Sequence, residues 1–239
     1  EWYQPMNDCV TDEFLETLDP SVFEEGVTMK GEDLYTITEG IPVVNCLFFY
    51  NQDVLDQAGV TKIPETYSEF VEACKQITES GNGEVYGLIE GGKQLNRLDT
   101  LARSFAAVGG GKIAPTSKVL TVDGKAPYDS AAMNEAMALM AQLVSDGSVH
   151  PDTVNISAPE AGEMFAQGQA GFLCQGMWCI PPWSQSYPDL NYGVMAVPVP
   201  DDGAKGCIQQ VESSPWMGIY KQSKHPKEAG EYLMALFSE

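Results

Sequence analysis

The sequence predicts an α/β architecture with mixed sheets. Three observations carry this. Apolar runs of strand length alternate with amphipathic stretches of helix length, the runs are not chained as successive hairpins, and no repeat or low-complexity segment interrupts them. With 239 residues, 44% of them hydrophobic and including four Trp, ten Tyr and nine Phe, the chain can bury a core as one large domain or two small ones.

Taken in order, residues 8–24 read as short helical pieces broken by Pro20. Residues 31–51 read as extended structure around Gly40 and Pro42, ending in a fully buried strand at 47–50. The stretch "NQDVLDQAGV" from Asn51 is a helix closed by Gly59. The next helix has Thr66 as N-cap with Glu69 three residues later, a capping box, and puts Phe70, Cys74 and Ile77 on one buried face. "YGLIEG" returns as a strand, and "NRLDTLARSFAAVGGG" is a helix with a glycine stop.

Asp123-Gly124 then marks a hairpin-like turn, and "SAAMNEAMALMAQLVSDG" is a helix whose buried stripe draws on Met133, Met137, Leu139 and Met140. A shorter helix at 159–167, strands at 169–174, 192–197 and 216–220, and a last amphipathic helix with Tyr232, Leu233, Leu236 and Phe237 complete the set. Two irregular stretches, 38–45 and the Pro-rich 197–206, are the candidate crossings between lobes.

Thirteen basic against 34 acidic residues give a formal charge of -21, which repels phosphate backbones and anionic lipid, so nucleic acid is excluded as a partner. The apolar run 43–50 contains Asn45 and falls far short of the ~20 residues of a membrane helix. Cysteines 9, 46, 74, 174, 179 and 207 form no CxxC pair, and His150 and His225 lie far apart, so no metal site is expected. Six cysteines are too sparse for a disulfide scaffold. Buried free thiols are the expectation, with a Cys174–Cys179 bridge as the alternative.

Enzyme signatures are missing. The sequence holds no G-x-S-x-G elbow, no H-E-x-x-H and no H-R-D set. "VGGGKI" at 108–113 lacks the Ser or Thr of a phosphate loop and reads as a helix-ending turn, and Glu90, Asp99 and Asp189 form no matched acid and base. No cofactor is expected.

The segment "MFAQGQAGFLCQGMWCIPPW", 164–183, is the most informative. Gly168 ends a helix, a strand follows, and Gly176 lets the chain turn at the strand's end, where open α/β sheets bind ligands. Two tryptophans, Trp178 and Trp183, then flank a Pro-Pro turn.

In order, "GIPVVNCLFFYNQDVLDQAGV", "PETYSEFVEACKQIT", "MFAQGQAGFLCQGMWCI", "YGVMAVPVPDDG" and "WMGIYKQSKHPKEAGEYLMALF" resemble the family 1 extracellular solute-binding proteins of ABC importers, the maltose-binding-protein-like group. The resemblance runs from about residue 34 onward. It implies a periplasmic-binding-protein-like type II fold of two interleaved lobes, with mixed sheets flanked by helices. Residues 1–42 and 210–239 would be a partial N-lobe and 43–209 most of the C-lobe. The chain would then be a fragment lacking the first βαβ units of the N-lobe and the final C-terminal helices. It begins without initiator Met or apolar leader and ends in a helix with no Gly cap.

The resemblance also implies a carbohydrate ligand, an oligosaccharide, bound between lobes that close on it. Delivery to ABC permease subunits would follow, with no bond made or broken. The location would be extracellular, lipid-anchored or periplasmic. Trp178 would stack on a sugar ring, with burial between helix and sheet as the alternative, and for Trp183 burial is the preferred reading. Glu90, Asn96, Arg97 and Asp99, on the loop after "YGLIEG", and Glu212, Ser213, Ser214 and Trp216, after the second crossing, are further ligand-binding candidates. For Asn45, ligand contact and a structural hydrogen bond stay equally open. The competing readings are a carbohydrate-active enzyme or lectin-like module, and a binding protein for a non-sugar solute.

Overall fold

The computed structural model describes residues 2–26, 28–38, 42–43, 46–111, 130–206, 212–213 and 216–237. In chain order the elements begin with helix α1 (Asp12–Thr17), then strands β1 (Met29–Lys30), β2 (Asp33–Leu34), β3 (Ile37–Thr38), β4 (Pro42–Val43) and β5 (Leu47–Asn51). Helices α2 (Gln52–Ala58) and α3 (Tyr67–Ser80), strand β6 (Tyr86–Ile89) and helices α4 (Leu95–Val108), α5 (Ala131–Ser145) and α6 (Ala158–Ala166) follow. After strand β7 (Ala170–Gln175) come α7 (Ile180–Ser186), β8 (Tyr192–Met195), β9 (Glu212–Ser213), β10 (Trp216–Met217) and α8 (Pro226–Leu236). The hairpin expected around Asp123-Gly124 lies outside the described residues.

The chain divides into two compact units, Glu1–Val43 with Glu212–Glu239, and Val44–Val211. The larger is built on a mixed four-stranded sheet of order β6-β7-β5-β8, in which β6 and β7 are parallel and the other pairs antiparallel. Strand period two sorts its side chains. Phe48, Phe172 and Leu88 pack with Phe70, Ile77 and Phe105 of α3 and α4. Phe49, Leu173 and Ile89 pack with Phe165 of α6 and Trp183 of α7. Strand β7 is buried at all six positions, as expected of a strand covered on both faces.

Caps explain where the helices begin and end. Asn51 caps α2 by accepting from the Val54 amide at 3.1 Å. Thr66 accepts from the Glu69 amide, and the Glu69 carboxylate makes its close bond, 2.8 Å, to the Glu65 amide, one residue ahead of the expected Thr66 amide. A complete capping box occurs at Ser157 and Glu160, opening α6. That helix ends at Gly168, whose φ of 80° lets the Gln169 amide reach back to the Met164 carbonyl.

In α5 the buried stripe is Ala132, Met133, Ala136, Leu139 and Leu143, and Met137 is 51% exposed, contrary to expectation. At about 100° per residue, position 137 falls off the face centred on Ala136. The Pro-rich segment is pinned: the Val199 amide bonds the Glu65 carbonyl, and the Asp201 carboxylate accepts from the amide and hydroxyl of Ser68.

The smaller unit joins β1 to β2, β3 to β10 and β4 to β9 as antiparallel pairs around Met6, Phe14, Leu34, Ile37, Ile219 and Leu233. In α8, Leu233 is buried and Phe237 partly so, whereas Tyr232 and Leu236 are exposed, so only part of its expected apolar face is covered.

The expectation of buried free thiols holds for Cys74 and Cys179 and fails for one pair. Cys46 and Cys174 form a disulfide across 128 residues, with Cα atoms 5.5 Å apart. Phe48 sits opposite Cys174 in the β5–β7 register, so Cys46, two residues earlier on the same face, meets Cys174 diagonally. Linear spacing carries no trace of such a pair. Cys9, Cys74 and Cys179 are free, so the Cys174–Cys179 bridge does not form, and Cys207 lies outside the described residues.

Candidate ligand site

The site is assembled at the C-terminal ends of the parallel strands β6 and β7, where open α/β sheets leave backbone ends and loops facing outward. Past Gln175 the chain turns at Gly176 into a single 3-10 turn, Met177–Cys179, and straight into α7. Pro181 and Pro182 stand in the first turn of that helix and form no loop of their own, because Pro lacks only an N–H that is unpaired there in any case. Gly176 is required by proximity: a Cβ there would run into Cε3, Cζ3 and Cη2 of the Trp178 indole.

The two tryptophans part company. Trp183 is 3% exposed, donates from Nε1 to the Gly162 carbonyl at 3.1 Å, and meets Phe49 edge-on with ring centroids 5.0 Å apart. Trp178 keeps 43% of its surface exposed. The Arg97 guanidinium lies over its ring, 5.7 Å from the centroid.

Beneath this exposed ring is a buried polar cluster. Glu90, just past β6, is 1% exposed, and its Oε1 accepts from the Gly91 amide at 2.8 Å and from Arg97 Nε at 3.4 Å. Arg97 Nη2 donates to the Cys174 carbonyl at 2.7 Å, which ties α4 to the end of β7. Burial pushes the Glu90 carboxyl up to about 7, against the opposing pull of Arg97 and the Gly91 amide. Its Oε2 is buried and accepts no hydrogen bond from any described residue. Glu90 also lines a largely aliphatic pocket of about 250 Å³, with Leu88, Leu101 and Leu143 in its wall.

Gln175 and Cys179 complete the cluster, and the sequence reading did not single them out as site residues. Gln175 is fully buried, donates to the Ala158 carbonyl and accepts from the Cys179 thiol at 3.1 Å. Burial pushes that thiol up to about 12, so it is a weak donor and not a nucleophile. A glutamine ending an apolar strand was the available signal, since a buried amide demands partners.

The remaining candidates are placed as follows. Asn96 is exposed on the first turn of α4, and Asp99 is half-buried with Oδ2 3.4 Å from Arg103 Nη1. Trp178, Arg97 and Glu90 therefore come together, with Asn96 and Asp99 on the same helix as Arg97. Glu212 pairs in register with Val43, Ser213 with Pro42 and Trp216 with Thr38, all in the smaller unit. Asn45 and Ser214 lie outside the described residues. Among the described residues no group of three His, Cys, Asp or Glu could hold a metal ion, and no helix is long and apolar enough to cross a membrane.

The candidate site is thus an exposed aromatic above buried polar groups gathered at the strand ends of a mixed sheet. The chain belongs to the bacterial extracellular solute-binding protein family, whose model matches residues 4–239. It is 26% identical over 237 residues to a binding protein of Brucella abortus, covering 98% of this chain and 52% of that one. It is 23% identical over 191 residues to the multiple sugar-binding protein of Streptococcus mutans, covering 77% and 43%. In structure it is similar to maltose-bound MalE3 of T. maritima (TM-score 0.71, 21% identity, 100% of this chain and 58% of that one). A protein of xylan utilization from Caldanaerobius polysaccharolyticus is equally similar (TM-score 0.71, 22% identity, 99% and 59%). These likenesses establish the periplasmic-binding-protein-like mixed α/β fold. The chain spans about half the length of the curated relatives it matches.

Proposed function

We propose that this chain is part of the solute-binding component of an ABC importer, that its ligand is a carbohydrate, and that Trp178 is the platform on which a sugar ring stacks. The observation that carries this is the exposed indole at the end of a fully buried strand, where burial would be the ordinary fate of a tryptophan. A flat aromatic matches the apolar face of a pyranose, and side-chain amides and carboxylates complement its hydroxyls. Asn96 and Asp99, on α4 with Arg97, are the proposed partners of those hydroxyls, whereas Glu90, 1% exposed and bonded to Arg97, is no contact in this reading. Asn45, Glu212 and Trp216 are the further proposed contacts.

In this reading Val44–Val211 is most of the C-lobe and the smaller unit is part of the N-lobe. The protein binds and releases its solute unchanged and hands it to permease subunits. Relatives described as multiple sugar-binding and as maltose-bound support the ligand class. The Cys46–Cys174 disulfide supports an oxidising location outside the cytoplasm, cell-surface-anchored or periplasmic.

The test is a titration of intrinsic tryptophan fluorescence with gluco-, xylo-, manno- and galacto-oligosaccharides, with product analysis of the same mixtures. A saturable change that Trp178→Ala abolishes, with the sugars recovered intact, is the expected result. Hydrolysed sugar would overturn the assignment as a binding component, and a saturable change that survives Trp178→Ala would overturn the platform.

A further inference from the structure

We propose that Arg97 is a positioning residue for Trp178: it fixes the indole in the orientation a ligand ring meets and does not itself touch the ligand. This rests on the reading of Trp178 as the platform. Arg97 is 4% exposed, so its guanidinium is not presented to solvent as a ligand-binding arginine would be. Its planar group has two distinct surfaces to use. The edge bonds Glu90 Oε1 through Nε and the Cys174 carbonyl through Nη2, while the carbon at its centre lies over the Trp178 ring. A lysine could neutralise Glu90 but could not bond an acid and a carbonyl and flank an aromatic at once.

The anchors are rigid. Arg97 is on α4, Cys174 is in the fully buried β7, and Glu90 follows β6, so the guanidinium is referenced to two strands and a helix. Gly176 limits the indole as well, because its Cα hydrogen faces the benzo ring atoms where any Cβ would collide. An exposed tryptophan with free χ angles must be ordered when a ligand binds, whereas one already held loses little freedom. Releasing Arg97 therefore weakens binding by the ordering term alone, roughly three- to tenfold, without removing any ligand contact.

The experiment uses protein labelled with 5-fluorotryptophan, in which Trp178→Phe assigns the Trp178 fluorine resonance among the four tryptophans. Maltotriose, xylotriose and raffinose serve as calorimetric probes. Arg97→Lys and the charge-free pair Arg97→Met with Glu90→Gln are compared with the unsubstituted protein; the pair is included because a lone buried carboxylate would itself destabilise the fold.

The unsubstituted protein should show one sharp Trp178 resonance. In both variants that resonance should shift and broaden while Trp183 stays fixed, and the dissociation constant of any bound probe should rise three- to tenfold. A Trp178 signal already exchanging between orientations in the unsubstituted protein would overturn the proposal without any variant. So would folded variants with an unmoved Trp178 resonance. A loss of affinity beyond a hundredfold with that resonance unmoved would make Arg97 a direct ligand contact. If none of the probes binds the unsubstituted protein, the platform reading fails on its own, and the resonance still decides whether Arg97 orients the ring.

Discussion

At the scale of single residues, two tryptophans five positions apart do opposite work, and the difference lies in what surrounds them. Trp183 fills space between β5, α6 and α7 and satisfies its N–H, so Trp183→Ala should cost about 3–5 kcal/mol in denaturant unfolding. Trp178→Ala at an exposed position should cost under about 1 kcal/mol in the same measurement. Glu90 carries a pH signature. Its folded value of about 7 lies above its ordinary 4.5, so the folded state holds the proton more tightly than the unfolded one. The resulting stability is fully present below about pH 4.5 and is lost as pH rises through about 7. Unfolding followed between pH 5 and 8 should show stability from this group falling with pH, and Glu90→Gln should flatten that part of the profile. The sequence marked Glu90 as a loop carboxylate; its burial and its partner Arg97 depend on how α4 lies over β6, which no local pattern encodes.

At the scale of elements, most helices and the strands of the main sheet were legible because periodicity and caps are local. The α3 face of Phe70, Cys74 and Ile77 is buried as its spacing demands. Where the reading slipped, a competing partner or a packed neighbour decided. Glu69 bonds Lys62 and the Glu65 amide more closely than the Thr66 amide, and Met137 fell outside the stripe that α4 selects on α5. The capping box at Ser157 supplies an element-level prediction. Ser157→Ala removes the bond to the Glu160 amide and one partner of the Glu160 carboxylate, and should cost about 1 kcal/mol by chemical denaturation. Because Ala158 also accepts from Gln175, the same change should disturb the Cys179 environment if α6 frays. Thiol labelling of Cys179 would then speed up relative to Cys74.

At the scale of the whole molecule, the Cys46–Cys174 disulfide ties the start of β5 to the end of β7, the strand that leads into Trp178. Closing a loop of 128 residues restricts the unfolded chain, so Cys46→Ala paired with Cys174→Ala should lower unfolding stability by up to about 5 kcal/mol, as should full reduction. An unchanged midpoint under reducing conditions would argue that the bridge adds nothing to the native chain. The sequence by itself determined the α/β class, most helices and strands of the main sheet, and the glycine turn that releases Trp178, because these follow from side-chain period, backbone conformation and charge. Only the tertiary structure decided that Cys46 reaches Cys174, that Trp183 is enclosed and Trp178 exposed, and that Arg97 spans Glu90, the Cys174 carbonyl and the indole. Most of these join residues far apart in the chain, where the register of one strand against another and the seating of a helix on a sheet fix distances that spacing along the chain does not contain.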